Sequence, residues 1–444
     1  MSTYVSLHNH TMYSNLRLID SINKPNDLID YAYEIGLKGV AITDHESLSG
    51  HVKAMAYWAD KYKDTDFKLI LGNEIYIARN DLTAENYQKG EPFFHFILLA
   101  KDMEGYHQMR QLSSRAWERG FGTFMTRVWT TPNDLYELVK GGHLIASSAC
   151  IGGYLGRKFK DGDFASIERF AGAMQELFGK GNWYIELQPS FQEDQIAYNK
   201  YLIKTFWGKM PFIFTTDSHY LKKEDRAIHR AFLNSKNGDR EVDSFYASAY
   251  MMSYDEVWDY FKDYVTAEQM EEMAQNTLRI YDMIEPFDLR KPQQIPYIIR
   301  NEIFDNRKVF EPYLTDHEYL KYFVTTTDEI DSYFMKLVTQ GWMKEDIPPD
   351  KVPKYIEELE TELRTIHLIS ENKKVHMADY FTTMAKLMDI IWHEADSLVG
   401  PSRGSAGAFL INYLLGITQM NPLEQPARMA SWRFLDPERP DYPD

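Results

Sequence analysis

The sequence predicts an α/β fold over its first 285 residues, either a parallel barrel or a doubly wound sheet, joined to a smaller C-terminal region. Three observations carry this. Seven short apolar runs alternate with stretches of helical periodicity, several of the runs carry His, Asp or Glu at or near their ends, and the rhythm stops near Ile284.

The seven runs span residues 4–10, 39–45, 67–77, 94–101, 143–149, 183–188 and 212–219. Most precede a helical pattern, as at 25–37 and 164–177, and chemistry is expected at the carboxyl ends of such strands. Pro286, Pro292 and Pro296 then mark a boundary, because proline interrupts regular elements. Residues 316–371 read as amphipathic helix, and one apolar helix at 406–415 sits among Gly and Pro punctuation.

The 444 residues are 44% hydrophobic and 26% charged, the balance of a globular chain. No apolar run approaches the ~18–20 residues of a membrane span, and no signal peptide opens the chain. The lone Cys150 excludes an internal disulfide and fits a reducing, cytoplasmic setting. A net charge of −17 argues against a protein that coats nucleic acid through bulk charge, though not against a nucleic-acid enzyme.

The first run carries His8 and His10, whose spacing puts both rings on one face of an extended chain. The second ends in Asp44 and His45, the third holds Glu74, and the seventh ends in Asp217 and His219. His95 opens the fourth run and Cys150 follows the fifth. Imidazole, carboxylate and thiolate together suit zinc, manganese or iron, and this many donors suggest more than one ion. Two or three ions ~3.5–4 Å apart hold a phosphate, generate hydroxide and stabilise a leaving oxygen, which is phosphoester hydrolysis. Asp44 is expected to orient an imidazole rather than to ligate. Glu186, ending the sixth run, is expected to pair with a buried Arg or Lys, the alternative being that it orients a ligand or a water.

Near the end, residues 399–407 form a small-residue turn before the apolar helix. Such a turn exposes N–H groups and a positive dipole end to phosphate, with Arg403 adding contacts. A plain N-cap by Ser405 is the alternative.

The order His-x-His, Thr-Asp-His, Gly-x-Glu, a strand-borne His, a Cys and Asp-x-His resembles the polymerase and histidinol phosphatase (PHP) family of metal-dependent phosphoesterases. More closely, residues 7–14, 39–45, 95–101 and 217–225 resemble the N-terminal domain of bacterial DNA polymerase III alpha subunits. The resemblance implies an α/β fold with a PHP-type (β/α)7 barrel over 1–285, about three metal ions, and a proofreading 3′–5′ exonuclease. It implies the ligands His8, His10, Asp20, His45, Glu74, His95, Cys150, Asp217 and His219, with His8, His10, Asp217 and His219 at the chemistry.

Residues 400–405, 413–418, 421–423 and 433–439 resemble the start of the palm of the same polymerases. The implied second domain, 286–444, is a partial α+β palm in which Arg403, Gly404, Ser405 and Arg433 hold a deoxynucleoside triphosphate. Ser402 stands where the family usually has Gly. The family's two catalytic aspartates, which hold Mg²⁺, would follow Pro443-Asp444 and are absent. The chain is therefore expected to be a truncated or split N-terminal part, acting on a DNA primer 3′ end and completed by a second polymerase chain. The competing expectations are a phosphatase of small esters and a metal-stabilised structural module that docks the rest of a polymerase.

Overall fold

The computed structural model describes residues 3–83, 85–88, 90–120, 128–235, 245–292, 294–296, 298 and 303–439. Pro443 and Asp444, where the expected junction with the aspartates falls, lie outside the described residues. The chain divides into two compact units, Met1–Lys291 and Pro292–Asp444.

All seven apolar runs of the first unit contain strands: β1 (Val5–Ser6), β2 (Gly39–Ile42), β3 (Lys68–Ile77), β4 (Phe94–Ala100), β5 (Leu144–Ser147), β6 (Trp183–Leu187) and β7 (Phe212–Phe214). They form one sheet in sequential order. A bridge between Asn9 and Ser218, with His10 N–H donating to Ser218 O at 2.9 Å, ties the extension of β7 back to that of β1. The α/β barrel expectation thus describes the first unit, with one correction: β4 is antiparallel to both β3 and β5. The 94–100 run gives no sign of its direction, because strand alternation reads the same both ways.

Alternation divides the barrel's inside from its outside. Val5, Ala41, Ile70, Ile97, Leu99, Ile145, Tyr184 and Ile213 form a buried inner cluster. The outer faces pack on the surrounding helices through residues such as Tyr4, Val40, Leu98, Trp183 and Phe214. The helix Ala267–Met283 covers the end where the parallel strands begin. There Thr277 Oγ1 accepts from Val5 N–H at 3.0 Å, and Asn276 Nδ2 donates to Phe212 O at 2.8 Å. Ile280 of this helix and Ile284 just after it complete the inner cluster. With that end plugged by apolar side chains, the open end is the one where the His, Asp and Glu residues gather.

The second unit is helical among its described residues, with no strand, so the β part of the expected α+β palm is not seen there. Its apolar positions recur at helical rather than alternating spacing. In the long helix Val352–Lys373, Tyr355, Ile356, Leu359, Leu363, Ile366 and Ile369 line one buried face against the helices Glu318–Thr325 and Met377–His393. Asp328 caps the helix Glu329–Lys344 by accepting from the N–H groups of Ile330 and Asp331. The expected helix at 406–415 is split: residues Gly404–Ala408 form a 3₁₀ turn, and the α-helix is only Leu410–Leu414. Gly341 passes so close to it that a Cβ would lie 1.9 Å from Leu414 O.

Glu362 lies in the buried stripe of the long helix, and its two oxygens accept from Leu410 N–H at 2.7 Å and Ile411 N–H at 2.8 Å. These are the first, otherwise unpaired donors of the short helix. Burial drives the Glu362 carboxyl well above the usual range; the two N–H groups oppose this and neighbouring Glu358 adds to it. A carboxyl raised in the folded state adds stability that is full below the unfolded value of ~4.3 and is lost as pH rises through the folded value. Protection of the Leu410 and Ile411 amides, corrected for intrinsic exchange, should therefore fall as pH rises above ~4.3 toward the raised folded value. In Glu362→Gln that slope should be absent.

Candidate metal centre

The open end of the barrel gathers every expected ligand into one cluster, buried apart from the partly exposed His95. His8 and His10 follow β1, and their Nε2 atoms lie 3.2 Å apart and 3.2 and 3.0 Å from Asp217 Oδ1, just past β7. Glu74 shares the inward parity of Ile70 on β3, and its oxygens reach His95 Nδ1 at 2.8 Å, His45 Nδ1 at 2.5 Å and His10 Nε2 at 3.4 Å. Asp20 Oδ2 lies between His45 Nε2 at 2.8 Å and His219 Nε2 at 3.3 Å. Cys150 Sγ is 3.4 Å from His95 Nδ1. Three sets offer donor atoms all within 4.8 Å of one another: His10, His45 and His219; His8, His10 and Asp217; and Glu74, His95 and Cys150. Asp20 belongs to none of these sets and instead spans two of the imidazoles of the first.

The antiparallel β4 explains His95. It opens its strand in sequence, yet in space that end is level with the carboxyl ends of β3 and β5. The loop bearing Cys150 comes up to it through Gly152 and Gly153. A Cβ on Gly153 would lie 2.5 Å from Ser148 O, so only glycine lets the chain pass. Glu46, Ala149 and Asp217 adopt positive φ of 45°, 57° and 49°, each at or beside a donor. Strain of this kind, on the order of 1–3 kcal/mol per residue, gathers at functional sites.

The surrounding polar groups set the imidazole tautomers. His8 Nδ1 meets Glu186 Oε1 at 2.8 Å, leaving Nε2 for the cluster. Glu186 was expected to pair with Arg or Lys. Instead it holds a histidine and accepts from Ser147 Oγ and Thr215 Oγ1, because all three stand on inward positions of neighbouring strands. His10 Nδ1 meets Ser14 Oγ at 3.0 Å, and Ser14 donates to Asp44 Oδ1 at 2.8 Å. Asp44 therefore acts on His10 through Ser14. His219 Nδ1–H donates to Asp217 O at 2.7 Å. The sequence reading missed Ser14, Ser147 and Thr215; the four-residue spacing of His10 and Ser14 is the only hint it held.

The electrostatics favour cations. Both Glu74 oxygens, Asp217 Oδ1 and Asp20 Oδ1 are buried and make no hydrogen bond. Burial would raise Glu74, but the charges of His95 and His45 hold it well below the usual carboxylate range. Burial likewise opposes charge on His45, yet Asp20 and Glu74 lift it to about 10. Burial, with His45 and His219 alongside, pushes His10 down to about 3, so its lone pair stays free. Orphaned carboxylate oxygens facing a cluster of imidazole and sulfur donors fit two or three divalent ions of the zinc, manganese or iron type, which would replace the protons that the carboxylates otherwise hold on rings such as His45.

The expected nucleotide contacts lie in the second unit. Arg403, Gly404 and Arg433 are exposed, and the turn Gly404–Ala408 packs on the turn Ser431–Arg433, so the two segments are brought together. Gly404 has φ +57°, a conformation glycine adopts freely, whereas Ser402 has no positive φ and needs no glycine. Neither sequence reading of the helix start holds. Ser405 caps nothing, and the donors of the helix Leu410–Leu414 are taken by Glu362 rather than left for phosphate. A phosphate here would have to use Arg403, Arg433 and the backbone of the turn.

Glu186→Ala removes the partner that fixes His8 and should weaken metal binding roughly 10–100-fold. Competition with a chelator of known affinity measures this; unchanged affinity would mean that His8 is held without Glu186.

Both units match known protein families. The PHP domain family matches residues 6–190, a stretch that includes every candidate ligand from His8 to Cys150. The bacterial DNA polymerase III alpha NTPase domain family matches residues 332–444. A DNA-directed DNA polymerase of Bacillus phage SPbeta is 38% identical over 473 aligned residues, covering 99% of this chain and 36% of the relative. DNA polymerase III subunit alpha of Aquifex aeolicus is 29% identical over 463, covering 99% and 36%. That of Helicobacter pylori strain J99 is 29% identical over 460, covering 99% and 35%. The chain thus spans about a third of the length of the curated relatives it matches. With a PHP domain and a polymerase III alpha domain in one sequence, the chain belongs to the bacterial DNA polymerase III alpha, or C-family, polymerases.

Proposed function

We propose that the first unit is a metal-dependent 3′–5′ exonuclease that hydrolyses the terminal phosphodiester of a DNA strand. The observation that carries this reading is the convergence of His8, His10, His45, Glu74, His95, Cys150, Asp217 and His219 into largely buried sets of donor atoms within 4.8 Å of one another. Divalent ions bound there supply hydroxide at neutral pH and stabilise the leaving 3′ oxygen. The chain's own residues hold and orient. Glu186 fixes His8, Ser14 with Asp44 fixes His10, and the Asp217 carbonyl fixes His219, each leaving Nε2 toward the cluster.

The region matching the polymerase III alpha family favours a nucleic-acid substrate over a small phosphate ester, since a phosphatase of metabolites has no use for it. Polymerisation belongs to a complete cytoplasmic enzyme in which Arg403, Gly404, Ser405 and Arg433 bind the nucleoside triphosphate. The Mg²⁺-binding aspartates and the fingers come from the remaining two thirds of such a polymerase, on a continuation of this chain or on a second one.

With Mn²⁺, the purified chain should release mononucleotides from the 3′ end of 5′-labelled single-stranded DNA. Asp217→Ala and His10→Ala should each reduce this to background. A 3′ ladder that survives both substitutions would place the activity elsewhere.

A further inference from the structure

Beside Asp217 the barrel opens into a cleft of about 200 Å³, lined among others by Lys160, Gln188, Ser190, Gln192, Gln195 and Thr216. We propose that this cleft receives the terminal nucleoside of a single-stranded DNA end, with Phe191 as the stacking platform for a base. The proposal rests on the nuclease reading of the adjacent site and adds to it the groups that select a nucleic-acid end.

Three features point to such an occupant. Thr216 Oγ1 lines the cleft, belongs to a residue only 3% exposed, and has no hydrogen-bond partner. A buried hydroxyl without a partner is costly unless a ligand or water meets it. Phe191 sits between the lining residues Ser190 and Gln192, is 73% exposed, and has its ring 4.2 Å from that of Tyr260. An aromatic ring so exposed, backed by a second ring at the rim of a polar cleft, is a platform of the kind on which bases stack irrespective of sequence.

The remaining lining is matched to the same occupant. Gln192 carries an amide that donates and accepts, as base edges require, and the exposed Lys160 supplies the one cation of the lining, set against the carboxylates of Asp194 and Asp217. Gln188 Nε2 lies 3.4 Å from Asp217 Oδ2, so the cleft is continuous with the metal centre. The volume exceeds a bare phosphate and falls below the ~300 Å³ at which drug-sized pockets begin, a size for a single nucleoside. A nucleoside seated here has its phosphodiester at Asp217, where hydrolysis is proposed.

The test compares the wild-type chain, Phe191→Ala, Phe191→Tyr and Asp217→Ala. Binding of a short 5′-labelled oligothymidylate is followed by fluorescence anisotropy in Ca²⁺, and hydrolysis of the oligomer is followed in Mn²⁺. Phe191→Ala should weaken oligomer binding and lower kcat/KM on the oligomer by roughly tenfold. It should leave the melting temperature unchanged, and Phe191→Tyr should behave as wild type. Equal oligomer affinity in wild type and Phe191→Ala, or no binding by wild type, would overturn the proposal. Phe191-dependent binding without any hydrolysis would instead leave the subsite standing and remove the nuclease reading.

Discussion

Everything at the open end of the barrel depends on one constraint: the carboxylates of Glu74 and Asp217 are buried with imidazole rings as their nearest neighbours, and no lysine or arginine among the described residues pairs with them. A buried carboxylate that is neither paired nor solvated is strongly unfavourable, and only concentrated positive charge relieves it. The surrounding imidazoles meet that demand in part, as the raised proton affinity of His45 shows. Metal ions meet it fully while leaving coordination positions open for a phosphate. The apolar plug at the other end, with Ile280 and Ile284 among the inner strand residues, keeps this charge confined to one mouth.

The scaffold then serves orientation. Each imidazole that faces the cluster through Nε2 is held from behind by a different group: the Glu186 carboxylate for His8, the Ser14 hydroxyl for His10 and a backbone carbonyl for His219. These partners come from separate strands and loops, so the centre is assembled only when the barrel is. Metal affinity and barrel stability are thereby linked, because ions that bind the folded arrangement alone stabilise it by mass action.

Much of this was legible in the sequence for a physical reason. Strands buried on both faces read as compact apolar runs, and all seven runs contain strands. Ligands at successive strand ends are too regular for chance, and the structure collects His8, His10, His45, Glu74, Asp217 and His219 at one mouth. What was not legible depends on tertiary direction and partners. Nothing local in residues 94–100 tells that β4 runs backwards, so the position of His95 at a strand start made no sense without the resemblance. Glu186 was misassigned because a buried acid gives no sign of whether it meets a cation or an imidazole. Glu362, 48 residues from the amide it caps, gave no local signal, so nothing in the sequence told that the donors at the start of the short helix are satisfied from within.

The central claim is that these donors hold a cluster of divalent ions. It is tested most directly by diffraction from crystals of the purified chain, recorded at wavelengths flanking the manganese, iron and zinc absorption edges. The account predicts two or three anomalous peaks at the open end of the barrel, with His Nε2 and carboxylate oxygens at roughly 2.0–2.2 Å from the ions and Cys150 Sγ at about 2.3 Å if the ion is zinc. A well-ordered His8–Glu74–Asp217 cluster without anomalous density, in crystals grown and soaked with these metals, would contradict it.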